Sequence, residues 1–320
     1  MRPTKLFFLP MLTGVLILLF TGGIKAQSGY YFYDGDYYQG RLQLEGGLTA
    51  GVLNCLTDVG GSKRGQRLSG AVNDFTFRHT DLNGGLYLLA TLDERIGLKL
   101  EANYGTLQAA DSSLKGTTNK FAEGRYVRNL SFKTRIFEAA LNFEIHPLMF
   151  RDYTEKEPPR LSPYATLGFG WIWFNPKAQL NGVWYDLEPL RLEGQGFAEY
   201  PDRKRYKRNC FEIPFGVGLR YELSANSYLR LEGQYHYIFT DYLDDVSYGD
   251  WVDPALFYKY LSPSQAAVAT QLYNRSTVIN PPRNTRPRGF HQNKDAYWNV
   301  AIKFGIILNR NRANNSFEFR

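Results

Sequence analysis

Beyond its first 26 residues the sequence has no apolar run near the roughly 20 residues that a membrane-spanning helix needs. It is also poor in residues that usually carry chemistry. The two cysteines, Cys55 and Cys210, have no CxxC or other ligand spacing, and the four histidines, His79, His146, His236 and His291, are scattered. No GxSxG, P-loop or zinc-binding spacing occurs. Only DRKRYKR at 202–208 is dense in Lys and Arg, which argues against a nucleic-acid partner and reads as a solvated loop. No cofactor is expected, and no motif points to an enzyme.

What is present begins with an address. MRPTKLFFLPMLTGVLILLFTGGIKA has a basic start at Arg2 and Lys5, an apolar stretch from Leu6 to Phe20, and Ala26 just before Gln27. That layout predicts a secretory signal peptide over 1–26. Its removal would take away Arg2, Lys5 and Lys25, lowering the formal charge of +7 by three. The remaining positive balance suits an anionic lipid or polysaccharide surface. In an exported chain Cys55 and Cys210 could form a single bridge between loops or stay as two free thiols.

The rest of the chain alternates with period two. Leu44, Gly46, Leu48, Ala50 and Val52 oppose Gln43, Glu45, Gly47 and Thr49; Ile96, Leu98, Leu100, Ala102 and Tyr104 oppose Lys99, Glu101 and Asn103. Six further segments continue the pattern, near 84–92, 136–145, 163–174, 211–223, 228–239 and 298–308. Each predicts a strand with one apolar and one polar face. The polar row carries opposed charges, Glu45, Lys99, Glu101, Glu138, Glu144, Arg220, Glu222, Arg230, Glu232 and Lys303, together with small Gly residues. Such charges can pair inside a barrel whose outside is apolar.

Connection lengths agree. Short links follow Leu92 and Leu223 and a medium one runs from His146 to Ser162, whereas those near 53–81, 106–131, 175–210 and 240–295 are long. The aromatic positions Tyr104, Trp171, Trp173, Phe211, Tyr235, Tyr237, Phe239 and Trp298 fall at the strand ends beside the long connections, where an outer interfacial girdle belongs. The expected fold is all-β: an eight-stranded antiparallel transmembrane β-barrel over 41–308 with long extracellular loops and short periplasmic turns. A Tyr-rich periplasmic linker is expected at 27–40 and a periplasmic tail at 309–320, putting both ends of the mature chain in the periplasm of an outer-membrane protein. An eight-stranded barrel is only wide enough for side chains, so bulk transport is not expected.

Four stretches carry a resemblance: GVLNCLTDVGG at 51–61, PYATLGFGWIWFNPKAQLNGVWYDLEPLRLEGQG at 163–196, IPFGVGLRYEL at 213–223 and FTDYLDDVSYG at 239–249. With the strands between them, the chain from about 42 to 308 resembles a Bacteroidetes outer-membrane barrel family that includes PorG, a component of the type IX secretion system. The resemblance implies a non-enzymatic barrel that contacts outer-membrane lipid and attaches on its periplasmic side to lipoprotein partners of that secretion and gliding apparatus. The segment from Trp251 to Lys294 and the tail NRNRANNSFEFR depart from the family pattern, which bears on which partner is bound.

Three local readings stay open. Asp241, Asp244 and Asp245 could supply oxygen ligands to Ca²⁺, but their spacing is not that of an EF-hand, and Asx turns or lumen-edge salt bridges also account for them. NPKAQLNGVWYDLEPLRLEGQG is either a folded cap over the barrel or a surface glycan site. His236 and Glu232, two pleats apart on one face, form the single acid–base pairing that an outer-membrane lipid-modifying enzyme would need, and a lumen hydrogen bond explains it more simply. A surface barrel acting through its outer loops is the remaining alternative class.

Overall fold

A computed structural model describes residues 42–61, 79–116, 120–151, 159–224, 226–276, 288–289 and 294–309. The expected signal peptide and linker, His291 and all of the tail except Asn309 lie outside these residues. Among the described residues nine strands form: β1 (Leu42–Leu56), β2 (Asp81–Leu92), β3 (Ile96–Ala110), β4 (Ser131–Ile145), β5 (Leu161–Leu180), β6 (Val183–Asp186), β7 (Asn209–Ser224), β8 (Ser227–Ile238) and β9 (Ala296–Ile307). All pairings are antiparallel; β6 pairs with β5 alone, and the other eight strands close into a barrel through β4–β5 and β1–β9. Asn309 latches the closing seam: Leu44 N donates to its Oδ1 at 2.9 Å and its Nδ2 to Leu42 O at 2.7 Å.

The faces follow the period-two pattern in the direction that a membrane requires. Leu48 and Val217, in the apolar row, are 61% and 68% exposed, whereas Lys99 and Arg230, in the charged row, are 0% exposed. A soluble sandwich would do the reverse, so the greasy face is the one offered to lipid. No helix among the described residues is long and apolar enough to cross a membrane, and the barrel strands, the shortest of 12 residues, do so instead.

The two ends of the barrel differ. At one end β2 meets β3 through Asp93–Arg95, where Asp93 and Glu94 take left-handed backbone angles and Arg95 N bonds Leu92 O at 3.0 Å. At that same end β7 returns as β8 through the Ser224–Ser227 turn, next to a register shift. The other end carries the long connections and three helices, α1 (Lys120–Arg128), α2 (Ala255–Tyr260) and α3 (Pro263–Leu272). The strands overshoot their expected ends here: β1 runs on to Leu56, β3 to Ala110 and β5 to Leu180.

Two glycines of the polar row answer to ring packing. A Cβ on Gly47 would run into the ring of Tyr87, and one on Gly218 into the ring of Tyr164. Both tyrosines are buried in the lumen, so small residues opposite them are a packing requirement.

Cys55 and Cys210 are not bonded to each other. They stand on β1 and β7, three strand positions apart round the wall at about 4.8 Å each, far beyond the Cα separation a disulfide accepts. Both instead join one apolar cluster, and Cys55 Sγ lies 3.5 Å from Gln108 O as donor.

Candidate functional site: lumen and long-loop cap

The inward row of β8 reads out the layers in order: Tyr228, Arg230, Glu232, Gln234, His236 and Ile238, from the short turns to the long loops. At the short-turn rim, Arg220 on β7 bonds Glu94 in the tight turn at 2.9 Å and lies over the Tyr228 ring at 4.9 Å. Glu222, expected in the same network, is half-buried outside the buried cluster.

Above the rim the remaining expected charges meet, except Glu138, which belongs to the layer beyond. Arg230 holds Glu45 with two hydrogen bonds, Nε to Oε1 at 3.0 Å and Nη2 to Oε2 at 2.7 Å, and reaches Glu144 Oε2 at 3.2 Å. Lys99 approaches Glu232 at 2.8 Å, Glu144 at 3.0 Å and Glu101 at 3.2 Å. Lys303 bonds Glu232 at 2.6 Å and also Glu101. Tyr164 donates to Glu232 Oε2 at 2.7 Å, and Tyr87 donates to Glu45. Each cation faces at least two carboxylates, so the desolvation cost of burial is offset by several close opposite charges rather than one. These buried side chains, drawn from every wall strand except β7, fill the lumen at this level.

The next layer holds Glu138 on β4, Glu212 on β7, His236 on β8 and Tyr297 on β9, all buried. His236 Nδ1 lies 3.3 Å from Glu212 Oε2 and 3.6 Å from Glu138 Oε2, and Tyr297 donates to the same two oxygens at 2.9 and 2.7 Å. His236 therefore pairs with these glutamates and not with Glu232, which is taken up by Lys99, Lys303 and Tyr164. Among the described residues Glu138, Glu212 and His236 are the one group whose ligand atoms come close enough together to hold a metal ion. Tyr297 already occupies the two oxygens that would face it.

Toward the long loops the inward row turns apolar. Leu53, Leu107, Phe132, Ile136, Ile172, Phe174 and Ile238 form a plug, joined from the loops by Val59, Leu243 and Val246. Over it lies a second apolar cluster in which Leu187, Leu190 and Leu192 pack with Phe197, Phe257 and the buried face of α3. The segment 175–196 thus folds onto α2 and α3 as the larger part of a cap.

Between plug and cap sits a set of buried charges. Asp111 takes bidentate bonds from Arg128 at 2.8 and 2.9 Å and accepts Gly60 N and Leu130 N at 2.8 and 2.9 Å. Asp244 accepts Val59 N and Val246 N, each at 2.9 Å; Asp245 accepts Tyr206 OH at 2.7 Å and lies 3.9 Å from Arg288. Glu193 accepts Ser247 N and Tyr248 N at 3.0 and 3.1 Å. Asp244 therefore ties two backbone turns, Asp245 pairs with the side chains of Tyr206 and Arg288, and Asp241 is buried near them; the three do not come together as a ligand group. Burial pushes Asp245 up to about 7 against the opposing Arg288, and burial with the neighbouring Asp58 pushes Asp241 up to about 7.

The expected girdle residues all point outward. Tyr104, Phe137 and Trp173 stand opposite one another on β3, β4 and β5, with the Phe137 and Trp173 rings 5.5 Å apart. Trp171 meets Phe211 edge-on at 4.4 Å; Tyr235 lies 5.3 Å from Phe215 and opposite Trp298; Tyr237 meets Phe239 at 5.3 Å. Arg128 and Arg288 lie outside any alternating stretch, Glu193 lies in a loop segment too short to count as a strand, and Tyr297 sits beyond the expected start of the last strand at 298, so none of the four stands out in the sequence.

Fold and site together define a transmembrane β-barrel of the outer-membrane type with a filled lumen. No protein-family model and no curated protein matches the chain. Among solved structures it is similar to a major outer-membrane protein of Thermus thermophilus, with 12% identity over 83% of this chain and 99% of that one and a TM-score of 0.35. It is also similar to Neisserial surface protein A, with 8% identity over 83% and 97% and a TM-score of 0.34. OprG of Pseudomonas aeruginosa gives 11% over 83% and 95% and a TM-score of 0.30. Identity and TM-score are low in each case, and the barrel's closure rests on its own strand registers.

Proposed function

We propose that the chain is a non-enzymatic outer-membrane barrel that serves as an anchoring or assembly component, with its long-loop end outside the cell and both ends of the mature chain in the periplasm. The observation that carries this reading is the lumen. A barrel filled by a salt-bridged layer, plugged by apolar side chains and capped by folded loops offers a partner its rim and its surface, not a passage. The buried position of His236 and the glutamates around it gives a substrate no approach, which favours a non-catalytic role. The resemblance to the family that includes PorG gives the anchor an apparatus: periplasmic lipoproteins of a type IX secretion and gliding machine, held through the aromatic linker at 27–40, the 146–162 connection or the tail.

The test is affinity purification of the tagged protein from solubilised outer membranes after mild cross-linking, with mass spectrometry of what accompanies it. Stoichiometric periplasmic lipoproteins support the anchor, and deletion of 27–40 is expected to abolish them while the barrel stays folded. Recovery of the barrel alone, where a known member of such an apparatus brings down its partners, overturns it. A second reading, a surface barrel that binds glycan through its loops, is favoured by exposed Trp184 and Tyr258 on the folded cap. Glycan-array binding abolished by Trp184→Ala would select it.

A further inference from the structure

The DRKRYKR run is not wholly the solvated loop expected: Arg203 is buried and donates to Glu193 O, and Tyr206 packs on the plug and bonds Asp245. Its remaining cations are exposed and meet others across the barrel wall. Arg135 on β4 stands opposite Asn175 on β5, and Arg208, just before β7, donates from Nη1 to Asn175 Oδ1 at 3.2 Å. Arg135 and Arg208 are exposed, as are Lys204 and Lys207. One pleat farther from the membrane, Lys133 stands opposite Lys177. One pleat in the other direction, Phe137 stands opposite Trp173, with Trp171 and Phe211 beside them. The outer wall of β4, β5 and the approach to β7 therefore passes, within two pleats, from an apolar face through an aromatic row to two basic rows.

Acidic residues offset this only in part. Lys177 is paired with Asp186 at 2.8 Å and Arg205 with Glu188 at 2.6 Å, while among the described residues no carboxylate is bonded to Arg135, Lys133, Lys207 or Arg208. Lys133 lies over the exposed Trp184 ring at 6.0 Å, which holds its ammonium close to the wall.

We propose that this wall binds the phosphate-bearing head group of a membrane lipid, with Arg135, Arg208 and Lys133 on the phosphate and Phe137, Trp173 and Trp171 against its upper acyl region. The position selects a lipid over a soluble anion, because the cations begin where the lipid-facing surface ends and guanidinium forks match phosphate oxygens. The proposal rests on the orientation taken for the barrel above: with the long loops outside, the leaflet is the outer one, and the ligand is a phosphorylated, multiply acylated sugar.

The experiment is native mass spectrometry of the full mature chain in neutral detergent, titrated with phosphorylated lipid A, the same lipid after enzymatic dephosphorylation, and inorganic phosphate. Phosphorylated lipid is expected to be retained. The triple variant Arg135→Gln, Lys133→Gln, Arg208→Gln should bind it on the order of a hundredfold more weakly. Arg135→Lys with Arg208→Lys should bind at a level between the native chain and the triple variant, because the charge is kept and the fork is lost, and removal of exposed Lys115, Lys259 and Lys294 as glutamines should change nothing. The folded state of each variant is read from its heat-dependent gel mobility. Equal retention by the triple variant, equal binding of the dephosphorylated lipid, or equal binding of inorganic phosphate would each overturn the proposal. Orientation is read separately, by labelling a Lys204→Cys variant on intact cells with a membrane-impermeant maleimide, so that failure of the lipid site and failure of the orientation give different results.

Discussion

Arg230 and Glu45 face each other through a two-bond clasp at 3.0 and 2.7 Å, although β8 and β1 are separated in the wall by β9. The clasp crosses the lumen instead of following the wall, and Arg230 extends it to Glu144 on β4 at 3.2 Å. One guanidinium thus braces three strands. Replacing Arg230 with Met would leave both carboxylates buried without it, and the expected loss is about 3–5 kcal/mol. Denaturant unfolding in detergent measures it. The double variant with Glu45→Gln should lose less than the two single variants summed, and strict additivity would mean that the clasp is not the coupling element.

Gly218 is held small by Tyr164, whose ring fills the space that a Cβ would enter. Gly218→Ala should cost about 1–3 kcal/mol through overpacking. The same change in a Tyr164→Ala background should cost far less, because the obstructing ring is gone. A neutral Gly218→Ala in the native background would show that the strand can shift to admit the methyl.

The cap should loosen as pH rises. Asp241 and Asp245 ionise at about 7 in the folded protein, raised by burial from the ordinary carboxylate value of 3.8. A raised folded value means that these groups favour folding fully below 3.8 and that the contribution is lost as pH climbs through about 7. Protease cleavage within 239–276 should therefore be slower at pH 5 than at pH 8. Asp241→Asn should slow cleavage at pH 8 and flatten the profile, by an amount on the order of 1–2 kcal/mol. A cap that is more resistant at pH 8 than at pH 5 would contradict the assignment.

Much of this is legible in the residues because the lumen writes itself into period two. Glu45, Lys99, Glu101, Arg230, Glu232 and Lys303 each sit between outward apolar neighbours, and the eight wall strands follow from that alternation alone. It fails at the long-loop end: Ile172 points inward between outward Trp171 and Trp173, so both faces are apolar, and on β3 the pattern inverts, with Leu107 inward between the polar Thr106 and Gln108, so alternation cannot place the ends of the overshooting strands. The helical cap is hidden for a different reason. The α3 start has a local signature in Ser262, with Pro263 after it and Gln265 completing a capping box, but α2 and α3 are short and are held by contacts with Phe197 and Leu187 that one chain segment cannot reveal. The partners of His236 are read less easily: Glu212 lies on the hairpin partner β7, within reach once the Ser224–Ser227 turn is placed, but Glu138 lies on β4, which does not neighbour β8 in the wall.

The central claim is that this barrel is a sealed anchor, and planar-bilayer recording of the purified, folded protein tests it most directly. The native protein is expected to give no discrete conductance steps across the physiological voltage range, because Lys99, Arg230, Lys303 and their carboxylates fill the lumen beneath an apolar plug. Stable, reproducible unit conductance would contradict it and return the barrel to the class of channels.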